Sequence, residues 1–583
     1  MEYPVYDQLV MRLRGHIGQI YPSHGTDQLV EQLLTAMQID QYCAEPTSHE
    51  NLWNQKTIAV ITYGNTIVNG KQHSLKVLKH FSDTQFKPLI DWIHVLPFFP
   101  YSSDDGFAVS DYTSVDPQLG EWQDITALSK QFDIMADLVI NHCSSQHSWF
   151  KNFRNCQDPG KDYFYTADPD GDYSQVVRPR TNELLQTVET LKGTRHVWCT
   201  FGHDQVDLDF GNPEVLLEFV RVMRLYLDKG IRVFRLDAIA FIWKELGTSC
   251  LNLNQTHEIV RLLRTLIEHV NPYAVIITET NIPNQENLSY FGNANEAHCV
   301  YNFSLPPLLV HALVSGDCRH LKSWLMSMPP SQNGTAYFNF IASHDGIGLR
   351  PVEGLLDDQE LHRFIQTMED FGGKISWRAL DGGVTKKPYE VNIALYDALS
   401  GTMDGKDEWR LQRFICAHAI MLALEGIPAF YIHSLLGTTN DYERLERLGH
   451  NRAINRRQWR EEELLENLAN PESHHAQVFR RLADLIHLRK QQAAFHPNAT
   501  QFTLHLGDHV FAFWRQSLDR KQSIFCLNNI SKDNQTILLS SINLIITDAW
   551  RDLISDQDYT NIRESITLAP YQTLWLTNTL RPN

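Results

Sequence analysis

The chain has 583 residues, 43% of them apolar and 21% charged, enough for one large core with a second, smaller unit and typical of a soluble globular protein. A formal charge of −18 argues against a nucleic-acid partner, which demands clustered Lys and Arg, and no stretch approaches the ~20 consecutive apolar residues of a membrane span. That leaves a small-molecule substrate and a monomer or homodimer as the expectation.

The amino-terminal MEYPVYDQLVMRLRG carries no basic leader followed by an apolar run, which predicts a cytoplasmic protein. The nine cysteines are scattered, odd in number and without a CxxC pair, and read as reduced thiols. Residues 1–55, with DQLVEQLLTAMQ, read as a helical extension. From 56 to 494, short β-branched and apolar runs alternate with segments of helical period. The predicted strands are Ile58 to Thr62, Trp92 to Phe98, Ile134 to Ile140, Ile231 to Leu236, Ala274 to Thr278, Val300 to Phe303, Ala336 to Ile341 and Ile427 to Ile432. Eight such units predict an α/β fold, a closed (β/α)₈ TIM barrel. About ninety residues separate the third strand from the fourth and contain QDPGKDYFYTADPDGDYSQVVRPRT, too irregular for one crossover helix, so an inserted subdomain is expected over about 143–212. From 495 to 583, runs such as HVFAFWR, SIFCLNN and QTLWLTN follow one another without helices and predict a carboxy-terminal antiparallel β domain.

Reactive groups in such a barrel come from the carboxy-terminal ends of its strands. Four ends are polar: ADLVINH, VFRLDAIAF, IITETN and FIASHDGIG. They place Asp137, Asn141, His142, Arg235, Asp237, Glu279, His344 and Asp345 around one rim. A pair of carboxyls, one attacking and one exchanging a proton, is what retaining glycosyl transfer requires. Asp237 and Glu279 fit those parts. Arg235 stands two residues before Asp237, so strand alternation puts both on one face, where the guanidinium favours an ionised nucleophile. Glu279 needs a raised pKa to hold a proton near neutrality.

FRLDA, ITETN, DLVINH and SHDGIG resemble, in order, the four signature regions of glycoside hydrolase family 13. The resemblance implies Asp237 as nucleophile, Glu279 as acid/base and Asp345 as transition-state stabiliser. Within that family LPFFPYSSDDGFAVSDY, VVRPRT, VWCTFGHDQVDLDF, LDAIAFIWKELGTSCLNL and NRAINRRQW resemble the sucrose phosphorylase branch. This closer resemblance implies a glucose pocket lined by Asp104, Phe107 and Phe201, with His142, His344 and Arg456 bonding sugar hydroxyls. It also implies Gln205 on the acceptor side and Arg180 as phosphate ligand. Arg178 is an alternative to Arg180, and Phe107 and Phe201 read equally well as core.

The chain departs from the sucrose-specific pattern at PYEVN, where Tyr389 is followed by Glu390 instead of Gln, and at GTTND after the eighth strand. Both make it more similar to phosphorylases of glucosylglycerate, glucosylglycerol or sucrose 6'-phosphate. Glu390 beside a bound phosphate would be repulsive unless an arginine intervened. No HExxH, Walker or GxGxxG motif is present, and Asn141 alone, at a position that binds calcium in many amylases, falls short of the six to eight oxygens Ca²⁺ takes. The expectation is a retaining α-glucosyl phosphorylase without metal or cofactor, using inorganic phosphate as co-substrate. The alternatives are a hydrolase or transglycosylase of the same family, or an inactive sugar-binding barrel.

Overall fold

The computed structural model describes residues 3–47, 49–380, 385–542, 550–561 and 563–578. Eight parallel strands close into a barrel in sequence order: β1 (Ala59–Thr62), β2 (Trp92–Val95), β3 (Asp133–Val139), β4 (Ile231–Asp237), β5 (Val275–Thr278), β6 (Cys299–Tyr301), β7 (Ala336–Asn339) and β8 (Ile427–Tyr431), with β8 hydrogen-bonded back to β1. Each is the core of a strand expected from the sequence. Strands buried on both faces need side chains apolar throughout, and AVIT, VIIT and IPAFY supply them. Two runs are shorter than expected by two or more residues. β2 stops at Val95 because the chain leaves the sheet before Pro97, which has no N–H to give a ladder, and β7 stops at Asn339.

Two details of this barrel position the site. A register shift between Ile134 and Met135 aligns Asp137 with Arg235 and Val139 with Asp237 across β3 and β4. The chain turns sharply after β4 and again in the loop after β2. Ala238 takes a left-handed φ of 50°, and Asp104 and Asp105 (φ 54° and 47°) precede Gly106 at φ 113°. A Cβ on Gly106 would lie 2.7 Å from the Pro97 carbonyl oxygen, so this turn requires glycine. Consecutive left-handed residues store strain, and here they sit beside the cavity described below.

The helix Pro4–Ile20 buries Leu9, Leu13 and Ile17, a stripe of period four, and docks on the helix Asn254–Glu268, where His16 meets Glu258 at 2.6 Å. Between β3 and β4 lie the helix Ser148–Asn155 and a hairpin of Leu185–Thr190 with Gly193–Trp198. Past residue 495 a six-stranded sheet pairs Thr500–Leu504, Val510–Gln516, Ser523–Asn529, Thr573–Thr577, Trp550–Asp552 and Asp558–Tyr559, in that order. Its two faces separate by alternation. Val510, Ala512, Phe525, Leu527, Leu574 and Leu576 form a core of their own, while Phe511, Phe513, Cys526 and Trp575 join the barrel's.

Candidate active site

A cavity partly open to solvent lies at the carboxy-terminal rim of the barrel. Asp104, Phe107, His142, Arg180, Phe201, Gln205, Asp237, Glu279, His344, Asp345 and Glu390 line it. Residues far apart in the chain thus converge because strand ends and the loops after them share one rim.

Arg235 organises its floor. Nη1 donates to both Asp137 and Asp237, the latter at 2.6 Å, and Nη2 lies 3.8 Å from Glu279. The second Asp137 oxygen is held by His94 Nε2 at 2.7 Å. Asp137 therefore fixes the guanidinium from behind while the carboxylates in front face the cavity. The ring faces of Phe107 and Tyr301 flank it at 5.7 and 5.5 Å.

Burial pushes Asp237 up to about 7 against the pull of Arg235, so the strand arginine does not by itself guarantee ionisation. Burial pushes Glu279 up to about 7 as well, and the negative neighbours Asp237 and Asp345 add to it. Two such neighbours share protons as a pair. The shorter bond from Arg235 favours charge on Asp237 and leaves the proton on Glu279, the division of labour a retaining transfer needs. The backbone N–H of Ala238 donates to Glu279 Oε2 at 3.0 Å, and the left-handed turn at Ala238 aims it there.

Asp345 is tuned the other way. Burial opposes its charge, but Arg452 at 2.7 Å, with Arg235 and Arg456 beyond, holds the carboxyl below its ordinary range. His344 stacks on Phe107 at 5.0 Å, and burial drives its pKa well down, so it stands neutral with Nδ1 unpartnered. His142 is lowered too, first by burial. Its Nδ1 accepts from Asn141 at 3.2 Å, which leaves Nε2–H to donate to the Phe107 carbonyl at 3.0 Å. Gln205 Nε2 donates to Asp104 at 3.0 Å, joining the strained loop to the wall, and Phe201 packs edge-on against Phe241 at 5.4 Å.

One placement differs from expectation, and two others resolve what the residues alone left open. Arg456 is not in the cavity wall: Nε donates to the His344 carbonyl and Nη1 to Asp105 at 2.7 Å, so it braces the wall from behind. Glu390 is 1% exposed and spends both oxygens on Arg452. The arginine needed beside that carboxylate is thus present. Arg178 donates to the Asn182 carbonyl, whereas Arg180 has no ion pair among the described residues and lies 5.3 and 6.0 Å from the rings of Tyr389 and Phe201. Of the two arginines in RPR, Arg180 is the one that faces the cavity.

Asn141 gives its carbonyl oxygen to the Lys244 ammonium at 2.9 Å, and the same ammonium pairs with Asp207 at 2.8 Å. A buried cation of the chain's own fills the polar centre at that position.

Among the polar cavity residues that sequence reasoning did not single out are Asn281, Arg350 and Arg452, while Tyr389 was named only as part of the PYEVN departure. Arg452 stands in the NRAINRRQW run four residues before Arg456, and the short 3₁₀ turn Asn451–Asn455 turns the first inward and the second outward. Asn281 follows Glu279 by two residues and was therefore open to the same alternation argument as Arg235 and Asp237.

The alpha-amylase catalytic-domain model matches residues 88–351. Glucosylglycerate phosphorylase of Spirochaeta thermophila is 41% identical over 526 residues, 89% of each chain. Glucosylglycerate phosphorylase of Escherichia coli is 39% identical over 97% of this chain and 99% of its own. Among solved structures, sucrose 6F-phosphate phosphorylase from Thermoanaerobacter thermosaccharolyticum superposes with a TM-score of 0.71 at 24% identity, over 83% of this chain and 96% of its own. The chain belongs to the sucrose phosphorylase-like branch of glycoside hydrolase family 13, the alpha-amylase family.

Proposed function

We propose that the chain is a retaining α-glucosyl phosphorylase whose glucoside is glucosylglycerate, converted reversibly with inorganic phosphate to α-glucose 1-phosphate and glycerate. The family relationship supports phosphorolysis, and two relatives at 39 and 41% identity carry the acceptor's name. The structural observation that supports it best is the charge layout of the cavity. Asp237, Glu279, Asp345 and Glu390 are matched by Arg235 and Arg452, Asp104 accepts from Gln205, and Arg180 faces the space without an ion-pair partner among the described residues. A dianionic co-substrate suits such an excess cation.

Asp237 attacks the anomeric carbon while Glu279 gives its proton to the departing glycerate oxygen, leaving a β-glucosyl ester on Asp237. A phosphate oxygen then attacks from the face glycerate has left, the ester bond to Asp237 breaks, and Glu279 recovers a proton from the incoming phosphate. Two inversions give net retention. Arg235 and Asp345 stabilise the charge that develops on the glucosyl ring, and Arg180 holds the phosphate.

Proton NMR of the first product formed from glucosylglycerate and phosphate tests this. The α-anomer of glucose 1-phosphate is expected. Free glucose as the first product would make the enzyme a hydrolase, and the β-anomer would remove the double displacement.

A further inference from the structure

Every arginine around the floor of the cavity has an anionic partner except Arg180 and one other. Arg350 is 8% exposed, lines the cavity next to Tyr389, and begins the turn Arg350–Val352 after the loop that carries His344 and Asp345. Its Nε is buried without an acceptor, and its guanidinium makes no hydrogen bond or ion pair among the described residues. The carboxylate three residues on, Glu353, is committed to Arg378 at 2.8 Å and Lys387 at 3.4 Å. A buried guanidinium without an anion in contact is costly, and burial pulls its pKa below the usual value despite the more distant charges of Glu353 and Glu286. Such a charge is retained where a ligand completes it.

The neighbouring groups say which ligand. Asn281 lines the same wall two residues beyond Glu279, donates to the Tyr389 hydroxyl at 3.3 Å, and keeps a buried Oδ1 without a donor. Gly348 makes room for it, since a Cβ there would lie 2.9 Å from the Asn281 amide. This wall therefore offers one cation and one free acceptor on the side where Glu279 hands its proton to the leaving oxygen. A neutral polyol or ketose leaves the cation unmatched. A hydroxy acid matches both, and in glycerate the carboxylate lies within two carbons of whichever oxygen bears the glucose.

We infer that Arg350 binds the carboxylate of the departing or incoming acceptor and that Asn281 accepts from that acceptor's free hydroxyl. The inference rests on the phosphorylase reading above and adds the residue that selects an acid. Arg180 and Arg350 then divide the two anions of the reaction, phosphate and carboxylate, which visit one space in turn.

The test compares kcat/KM for transfer from α-glucose 1-phosphate to glycerate and to glycerol, in which a CH2OH group replaces the carboxylate, in the parent protein, Arg350→Gln and Arg350→Lys. The ratio within each protein cancels differences in folded fraction. The glycerate preference is expected to fall about 10- to 100-fold in Arg350→Gln, through KM, the worth of a charge-assisted bond, and less in Arg350→Lys, which keeps charge without the fork. A second arm is isotope exchange between phosphate and α-glucose 1-phosphate, which needs no acid. Its KM for phosphate is expected to move far less than the KM for glycerate. A preference unchanged in both variants overturns the assignment, and an equal loss in the phosphate arm overturns it by making Arg350 a phosphate ligand. A parent protein that transfers to no acceptor above water brings down the phosphorylase reading and this assignment together.

Discussion

Arg452 grips Glu390 with two nitrogens, Nε to Oε1 at 2.9 Å and Nη2 to Oε2 at 3.0 Å, and reaches Asp345 with Nη1 at 2.7 Å. One guanidinium thus neutralises a strand carboxylate and orders the one proposed as transition-state stabiliser. Removing it as Arg452→Ala leaves two buried negative charges facing each other, a loss of about 3 to 5 kcal/mol in stability. Adding Glu390→Gln takes one of those charges away, so the double variant should regain part of the lost melting temperature. Thermal unfolding of the three proteins checks this, and a double variant no more stable than Arg452→Ala contradicts it.

Asp237→Asn should fold normally and lose both directions of the reaction by at least about 1,000-fold, because the proposed covalent step uses Asp237 as its nucleophile. Circular dichroism with phosphate-release assays decides the matter. Appreciable turnover in a cleanly made Asp237→Asn protein removes the assignment.

The shifted carboxyl at Glu279 predicts a pH signature in stability. Its folded pKa of about 7 lies above the ordinary value of 4.5, so the unfolded chain releases this proton first as pH rises. The group costs nothing near pH 4, where both states are protonated, and destabilises the fold increasingly between pH 4.5 and 7. Glu279→Gln should therefore melt higher than the parent at pH 7 to 8 and coincide with it near pH 4. A gain of equal size at both ends would mean that packing, not ionisation, is responsible.

Lys244 supplies the charge that Asn141 and Asp207 surround. Lys244→Met should cost about 3 kcal/mol or more by stranding Asp207. Chelator treatment should leave the parent's melting temperature and activity as they were. A protein whose stability falls on chelation and returns with calcium would refute this account of the position.

Gly106→Ala should be destabilising by about 1 to 3 kcal/mol, since φ 113° and the Pro97 oxygen both oppose a Cβ. Because Phe107 and Asp104 flank it in the wall, KM for α-glucose 1-phosphate should rise beyond what the stability loss explains. An unaltered KM would show that the loop's strain does not reach the cavity.

Much of this was legible in the residues, and the reason is periodicity. Parallel strands buried on both faces read as near-continuous apolar runs, so all eight barrel strands announced themselves, and the polar residues at or near the ends of four of them were conspicuous by contrast. The charge pairings were not legible. Nothing local says that Arg452 turns toward Asp345 while Arg456 turns away, since a 3₁₀ turn decides it. Arg350 reads as an ordinary loop arginine until the absence of a hydrogen-bond or ion-pair partner for its guanidinium among the described residues is seen in three dimensions. Pairing is long-range, as Arg456 with Asp105 across 351 residues shows, and no spacing rule reaches that far.

The central claim is tested most directly by phosphate release from α-glucose 1-phosphate in the presence of glycerate, glycerol, fructose, fructose 6-phosphate or water alone. Release with glycerate well above every other acceptor is the predicted result. Release no faster than with water would contradict phosphorolysis, and a lead for fructose or its phosphate would contradict the acid-binding wall built by Arg350 and Asn281.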